Sequence, residues 1–98
     1  MRKISNYLLS VILGLMLMAF SQAPEQVVSG QVKSGGKPLP GVDVSVQGSN
    51  AGTVTNMKGE YSLQADANDT LVFSSLGYVN KKVAVSGKST INVNMSED

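Results

Sequence analysis

Cysteine, histidine and tryptophan are all missing from this chain of 98 residues. Without cysteine no disulfide can staple the fold, and no thiolate can attack a substrate or hold a metal. Lipid attachment behind an export signal, which also needs a cysteine, is excluded with it. Without histidine the Ser-His-Asp and Cys-His arrangements lose their base, and an open zinc site loses its most frequent ligand. Charge is sparse too, with eight Lys and Arg against seven Asp and Glu. In the body of the chain Lys81-Lys82 is the only adjacent basic pair, and no aromatic residue interleaves with it. Nucleic acid is therefore not an expected partner, and those lysines read as a solvated strand face.

The longest apolar run lies at the N-terminus. Arg2 and Lys3 precede an uncharged stretch over residues 7–20 (YLLSVILGLMLMAF), and small residues follow. This is the three-part layout of a secretory signal, and the run falls short of the ~20 residues a helical membrane crossing needs. Residues 1–23 are expected to be removed, with cleavage after Ser21 or after Ala23. The domain proper then occupies residues 24–98 and carries six basic against seven acidic side chains. A chain of that size buries only about 60% of its unfolded surface, so packing alone must hold a small domain near the lower size limit.

From Gln26 onward, runs of Val, Thr, Ile and aromatic residues alternate with Gly, Pro, Asn and Asp clusters, which is an all-β pattern. The first strand is expected over residues 26–32, closed by Ser34-Gly35-Gly36-Lys37-Pro38. Val42, Val44 and Val46 alternate with Asp43, Ser45 and Gln47, which predicts a second strand with one buried face. A short third strand is expected over residues 52–55, and a turn at Asn56-Met57-Lys58-Gly59 leads into a fourth over 60–65. Tyr61, Leu63 and Ala65 share its inner face. Leu71 and Phe73 point inward from a fifth strand over 70–75, with Val72 covered from the other side. Val83 and Val85 belong to a sixth over 79–86, ended by a tight turn at Gly87-Lys88. Ile91, Val93 and Met95 finish the set. Seven short strands with turns about every ten residues favour a two-layer sandwich over a barrel.

The turn residues have geometric reasons. Pro38 and Pro40 around Leu39 hold the approach to the second strand extended, and Gly41 can take backbone angles closed to other residues. Gly59 is expected to supply a positive φ after Asn56, so a β-branched replacement there should cost ~1 kcal/mol or more.

These signals, in this order, resemble the carboxypeptidase-like regulatory domain, in the version found at the N-terminus of SusC-type TonB-dependent transporters. The resemblance runs from Val28-Ser29-Gly30-Gln31-Val32 through Lys37-Pro38-Leu39-Pro40-Gly41-Val42 and Gly52-Thr53-Val54-Thr55-Asn56 to Lys58-Gly59-Glu60-Tyr61-Ser62-Leu63. Leu71-Val72-Phe73-Ser74-Ser75-Leu76-Gly77-Tyr78 resembles the family's most recognisable stretch. The resemblance implies a prealbumin-like (transthyretin-like) seven-stranded sandwich exported to the periplasm of a Bacteroidetes-like bacterium. It also implies a protein partner, either the plug and barrel of an outer-membrane transporter or the periplasmic coupling machinery. In that family the domain precedes a short acidic segment, a plug and a barrel. The chain stops at Ser96-Glu97-Asp98, so it is expected to be either a fragment of a transporter or a free-standing copy of the module, associated with the outer membrane only through a partner or a downstream domain.

No cofactor and no catalytic residue is expected. The sandwich hydrolases of the transthyretin type rely on histidine, so a shared fold transfers no activity here. Asp66 and Asp69 beside Asn68 offer oxygen atoms, but their spacing lacks the alternate acidic positions of a calcium loop, and a polar turn is expected instead. Asn56-Met57-Lys58-Gly59 stands where some relatives resemble Asp-x-Asp-Gly, and Lys58 would repel a cation. Tyr61, Phe73 and Tyr78 raise the alternative of sugar stacking in a glycan-binding module. Tyr61 and Phe73 lie on inward strand phases and are expected in the core, whereas Tyr78, after Gly77, is expected at a corner with its hydroxyl bonded to backbone. Asn80 and Lys81 beside it form a solvated strand or a contact surface.

Overall fold

The computed structural model describes residues 25–98. The expected signal segment and its cleavage point lie outside them. Eight strands follow in order: β1 (Glu25–Ser34), β2 (Lys37–Pro38), β3 (Asp43–Val46), β4 (Gly52–Val54), β5 (Glu60–Asp66), β6 (Thr70–Ser74), β7 (Lys81–Ala84) and β8 (Val93–Asn94). The seven expected strands are all present, some trimmed at their ends. The additional one, β2, comes from tightening the expected 34–38 turn to its two glycines. Gly35 (φ 59°) and Gly36 (φ 80°) both take left-handed angles, so a two-residue hairpin sets Ser34 against Lys37 and Lys33 against Pro38. The turn after β7 shifts in the same way, with Ser86 (φ 50°) and Gly87 (φ 73°) at its centre and the Lys88 amide bonded to Val85 O at 2.9 Å.

Two four-stranded sheets form the layers. In one, β1 is central, with β5 antiparallel on one side from Glu25↔Asp66 to Gln31↔Glu60, β2 continuing that side, and β8 parallel on the other through Val32↔Val93. In the second the order is β4-β3-β6-β7, antiparallel throughout. Two-residue periodicity turns Val42, Val44 and Val46, Tyr61, Leu63 and Ala65, and Leu71 and Phe73 into the space between the sheets. Val28, Val32, Val85, Ile91, Val93 and Met95 complete a single core, with Leu39, Tyr78 and Val83 packed at its margin.

One polar side chain is buried in this core. The Thr55 hydroxyl accepts from the Val42 amide at 2.9 Å and donates to Leu39 O at 2.8 Å, tying the approach of β3 to the end of β4. Thr55→Val preserves shape but leaves an amide and a carbonyl inside without partners. It should lower stability by about 1–3 kcal/mol, read as a lower urea midpoint at unchanged m, while Thr55→Ser, which keeps the hydroxyl, should avoid most of that loss.

Candidate functional site

The residues singled out in the sequence fall into three places. Gly30, Tyr61 and Phe73 meet in the core. Gly30 stands opposite Tyr61 across the β1–β5 pair. The inner face of β1 reads Val28-Gly30-Val32, and the missing side chain leaves a lane over the strand. Through that lane the Tyr61 hydroxyl reaches across β1 and donates to Ile91 O at 2.6 Å. The Tyr61 ring packs edge-on against Phe73 of the opposite sheet, with centroids 5.4 Å apart and planes at 77°. One tyrosine thus joins β5, the chain leading into β8, and the second sheet.

Burial pushes the Tyr61 phenol from its ordinary 10.0 up to about 12. The neutral form is the one the fold accommodates. In the unfolded chain the phenol ionises near pH 10 and in the folded chain near 12, so stability is intact below pH 10 and is lost as pH rises through that window. The loss should be roughly 2–3 kcal/mol between pH 9 and 12.5 in urea melts, and Tyr61→Phe should remove most of that slope.

The second place gathers Pro38, Leu39, Pro40, Gly41 and Gly59. Gly59 is buried at φ 74°, its carbonyl accepts from the Val32 amide at 2.8 Å, and an added Cβ would lie 2.5 Å from Val32 O and 3.0 Å from Leu39 N. The requirement for glycine is therefore steric as well as conformational. Leu39 N bonds Val32 O at 2.9 Å, Gly41 (φ 75°) bonds Thr55 O at 3.1 Å, and Pro40 is exposed between them. These residues fix how the chain crosses from one sheet to the other.

Gly77 and Tyr78 form the third place, a corner just beyond the end of β6. Gly77 (φ 89°) turns the backbone, and the Tyr78 amide bonds Ser75 O at 3.1 Å. Tyr61 lies in the core and Tyr78 at the corner, but among the described residues the hydroxyl bond to backbone expected of Tyr78 is made by Tyr61. Leu76 is fully exposed and Val79 half exposed. The end of the chain lies against them: Asp98 N bonds Gly77 O and Val79 N bonds Ser96 O, both at 2.9 Å.

Asp66 and Asp69 close a polar turn. Asp69 Oδ2 accepts from the Asp66 amide at 2.8 Å and the Asp69 amide bonds back to Asp66 O at 3.0 Å. Among the described residues no group of three or more His, Cys, Asp or Glu is arranged to hold a metal ion. At Asn56 the side-chain oxygen accepts the Lys58 and Glu60 amides, both at 2.9 Å, which commits it to the turn. Tyr61 and Phe73 are 5% and 0% exposed, so neither offers a face to a sugar.

Exposed strand edges able to accept another strand are expected of such a sandwich, and which edge is open is what sequence reasoning could not say. Ser29 N and O bond Ser89 and Ile91 on the β8 side, and Val32 N bonds Gly59 on the other. Alternation then directs Val28 and Gly30 toward Leu63 and Tyr61, and leaves the N–H and C=O groups of Ser62 and Gln64 pointing away from the sheet. Both residues are exposed. Two cavities border this edge: one of about 360 Å³ lined by Thr53, Val54, Asn56, Glu60, Tyr61 and Ser62, and one of about 240 Å³ whose lining includes Glu25, Gln64, Asp66 and Asp69.

Comparison with known proteins places this geometry. Residues 28–98 match the profile of the CarboxypepD_reg-like domain family. The chain is 40% identical over 82 residues to TonB-dependent receptor P26 of Formosa agariphila, covering 84% of this chain and 8% of that receptor. It is 34% identical over 92 residues to TonB-dependent receptor SusC of Bacteroides thetaiotaomicron, covering 93% of this chain and 9% of that one. The chain thus spans less than a tenth of the length of these curated relatives. Among solved structures, a chain in two interface mutants of the type II cohesin–X-dockerin complex of Acetivibrio cellulolyticus superposes with TM-scores of 0.61 and 0.62 at 18% identity, over 74% of this chain and 58% of that one. That likeness concerns the sandwich alone.

Proposed function

Since the chain belongs to the CarboxypepD_reg-like domain family, we propose that it is a non-catalytic accessory module of a TonB-dependent outer-membrane transporter. It acts by protein contact on the periplasmic side, as a rigid spacer or docking domain near the plug. Export by a cleaved signal over residues 1–23 belongs to the same proposal. The observation that carries it is the alignment of nearly the whole chain with one short stretch of long receptors. The exposed corner gives it a physical counterpart. Leu76 and Val79 lie beside Asp98, so a domain continuing past that residue would meet an apolar surface as it left the sandwich. Glycan recognition is the weaker alternative, because two of the three candidate stacking rings are spent in the core.

The test is an epitope tag placed at the native locus between the signal segment and Glu25, followed by membrane fractionation. The tag is expected in the outer-membrane fraction, either on a transporter-sized polypeptide or co-purifying with one. A tagged protein recovered only as a free species in the soluble fraction, with no transporter attached, would contradict the proposal.

A further inference from the structure

We propose that the outer edge of β5 accepts an extended segment of a partner protein as an additional strand, and that this segment carries two basic side chains six residues apart. The inference rests on the protein-contact function above and names the surface and the chemistry it selects.

The edge is a bounded window. At one end the outward groups of Glu60 are taken by Asn56, whose Oδ1 accepts the Glu60 amide at 2.9 Å and whose amide bonds Glu60 O at 3.0 Å. At the other end those of Asp66 are taken by Asp69. Between these caps Ser62 and Gln64 leave two donors and two acceptors unpaired, the pattern that a docking strand completes. Thr53 and the half-exposed Val54 of β4 flank the window, so alternate side chains of an incoming strand would meet an apolar wall.

Charge selects the occupant. Glu25, Glu60, Asp66 and Asp69, four of the seven acidic residues of the chain, line the two cavities beside this edge, and no Lys or Arg lines either. One Asp66 carboxylate oxygen is buried there without a hydrogen-bond partner among the described residues. Glu60 and Asp66 lie six positions apart along β5, about 20 Å, which fixes the spacing of the complementary basic groups. The same charges oppose a second copy of this chain. Antiparallel pairing of two β5 edges about Leu63 would set Glu60 against Asp66 twice, and like charges facing each other across strands repel.

The test uses the processed chain, ¹⁵N-labelled, titrated with a blocked heptapeptide of sequence Lys-Val-Thr-Val-Thr-Val-Lys, which puts its lysines on the face of Glu60 and Asp66 and its valines on the inner face, and with its twin bearing Glu at both ends. With the lysine peptide, the amide signals of Ser62 and Gln64 should shift saturably and their hydrogen exchange should slow. The glutamate twin should bind at least about tenfold more weakly. Glu60→Lys should weaken the lysine peptide by a similar factor without loss of fold, because its carboxylate makes only a 3.5 Å contact with Asn56. Gln64→Pro, which removes one outward donor and no bond to β1, should abolish the shifts. Equal binding of the two peptides, silence at Ser62 and Gln64 at millimolar lysine peptide, or dimerisation of the chain through β5 in the absence of peptide would overturn the proposal. None of these results bears on whether the module fractionates with a transporter, so the two readings fail separately.

Discussion

Phe73→Ala is expected to lower the stability of the domain by about 3–5 kcal/mol, the range for emptying a fully buried phenylalanine site. Phe73 is the largest of the fully buried side chains and is 0% exposed. It lies on β6, pairs with Val44 on β3, and meets the Tyr61 ring of the facing sheet edge-on. Its removal therefore opens a cavity at the point where the layers touch. A domain of this length has in total roughly 4–11 kcal/mol to lose, and it has no disulfide to limit the unfolded state. The variant should be substantially unfolded at 37 °C, with its remaining transition at much lower urea than the parent. Phe73→Leu, which keeps most of the volume, should cost no more than about 1.5 kcal/mol. Similar midpoints for the Ala and Leu variants would show that the layers do not pack through this ring.

Gly30→Ala should cost about 3 kcal/mol, although it adds a single methyl group. A Cβ at this position would lie 1.8 Å from Ile91 O and 2.6 Å from Ile91 C, both backbone atoms, and 3.1 Å from the Tyr61 hydroxyl oxygen. Backbone cannot rotate out of the way as a side-chain tip can. The segment entering β8 must lift from β1, losing the 2.9 Å bond from Ile91 N to Ser29 O and the 2.6 Å bond from Tyr61. A second readout separates this cause from general destabilisation. The Tyr61 phenol, freed from its site, should titrate closer to pH 10 than to 12 in an ultraviolet pH titration of the folded variant. A stable variant with an unchanged high phenol titration would mean that β8 does not approach Gly30 as described.

These two sites show where the sequence is informative and where it falls silent. Val42, Val44 and Val46 alternate strictly with polar residues, and all three are buried, because a two-residue period is a local property of a half-buried strand. Tyr61, Leu63 and Ala65, and Ile91, Val93 and Met95, were legible for the same reason. Val83 is only half-buried, since β7 lies at the rim of its sheet, where one neighbour is missing. Gly30 can be picked out by resemblance, but its reason, a carbonyl 61 positions further along the chain, is a fact of sheet order that no local pattern encodes. Thr55 reads as the end of a strand and not as a buried bridge. Its hydroxyl has partners 13 and 16 residues away that only the folded chain brings together.

The open edge was hidden more deeply. Ser62 and Gln64 are ordinary outward strand residues in the sequence, and their importance depends on which strand is missing beside them. That follows from β1 taking β8 as its other neighbour in parallel register. The caps are likewise nonlocal in consequence though local in chemistry, since Asn56 and Asp69 are plain turn residues that also set the limits of the window. The polar turn at Asp66 and Asp69 was legible because Asp, Asn and Asp cluster between two alternating apolar runs.

Native-state amide hydrogen exchange of the processed chain, in chelator and without any partner, tests most directly the picture of a packed two-sheet sandwich with a vacant strand position beside β5. The account predicts that the Val28, Leu63, Leu71 and Phe73 amides open only with global unfolding, while the Ser62 and Gln64 amides of the same strand exchange orders of magnitude faster. Ser62 and Gln64 amides as slow as that of Leu63, or fast exchange along all of β5 and β6, would contradict it.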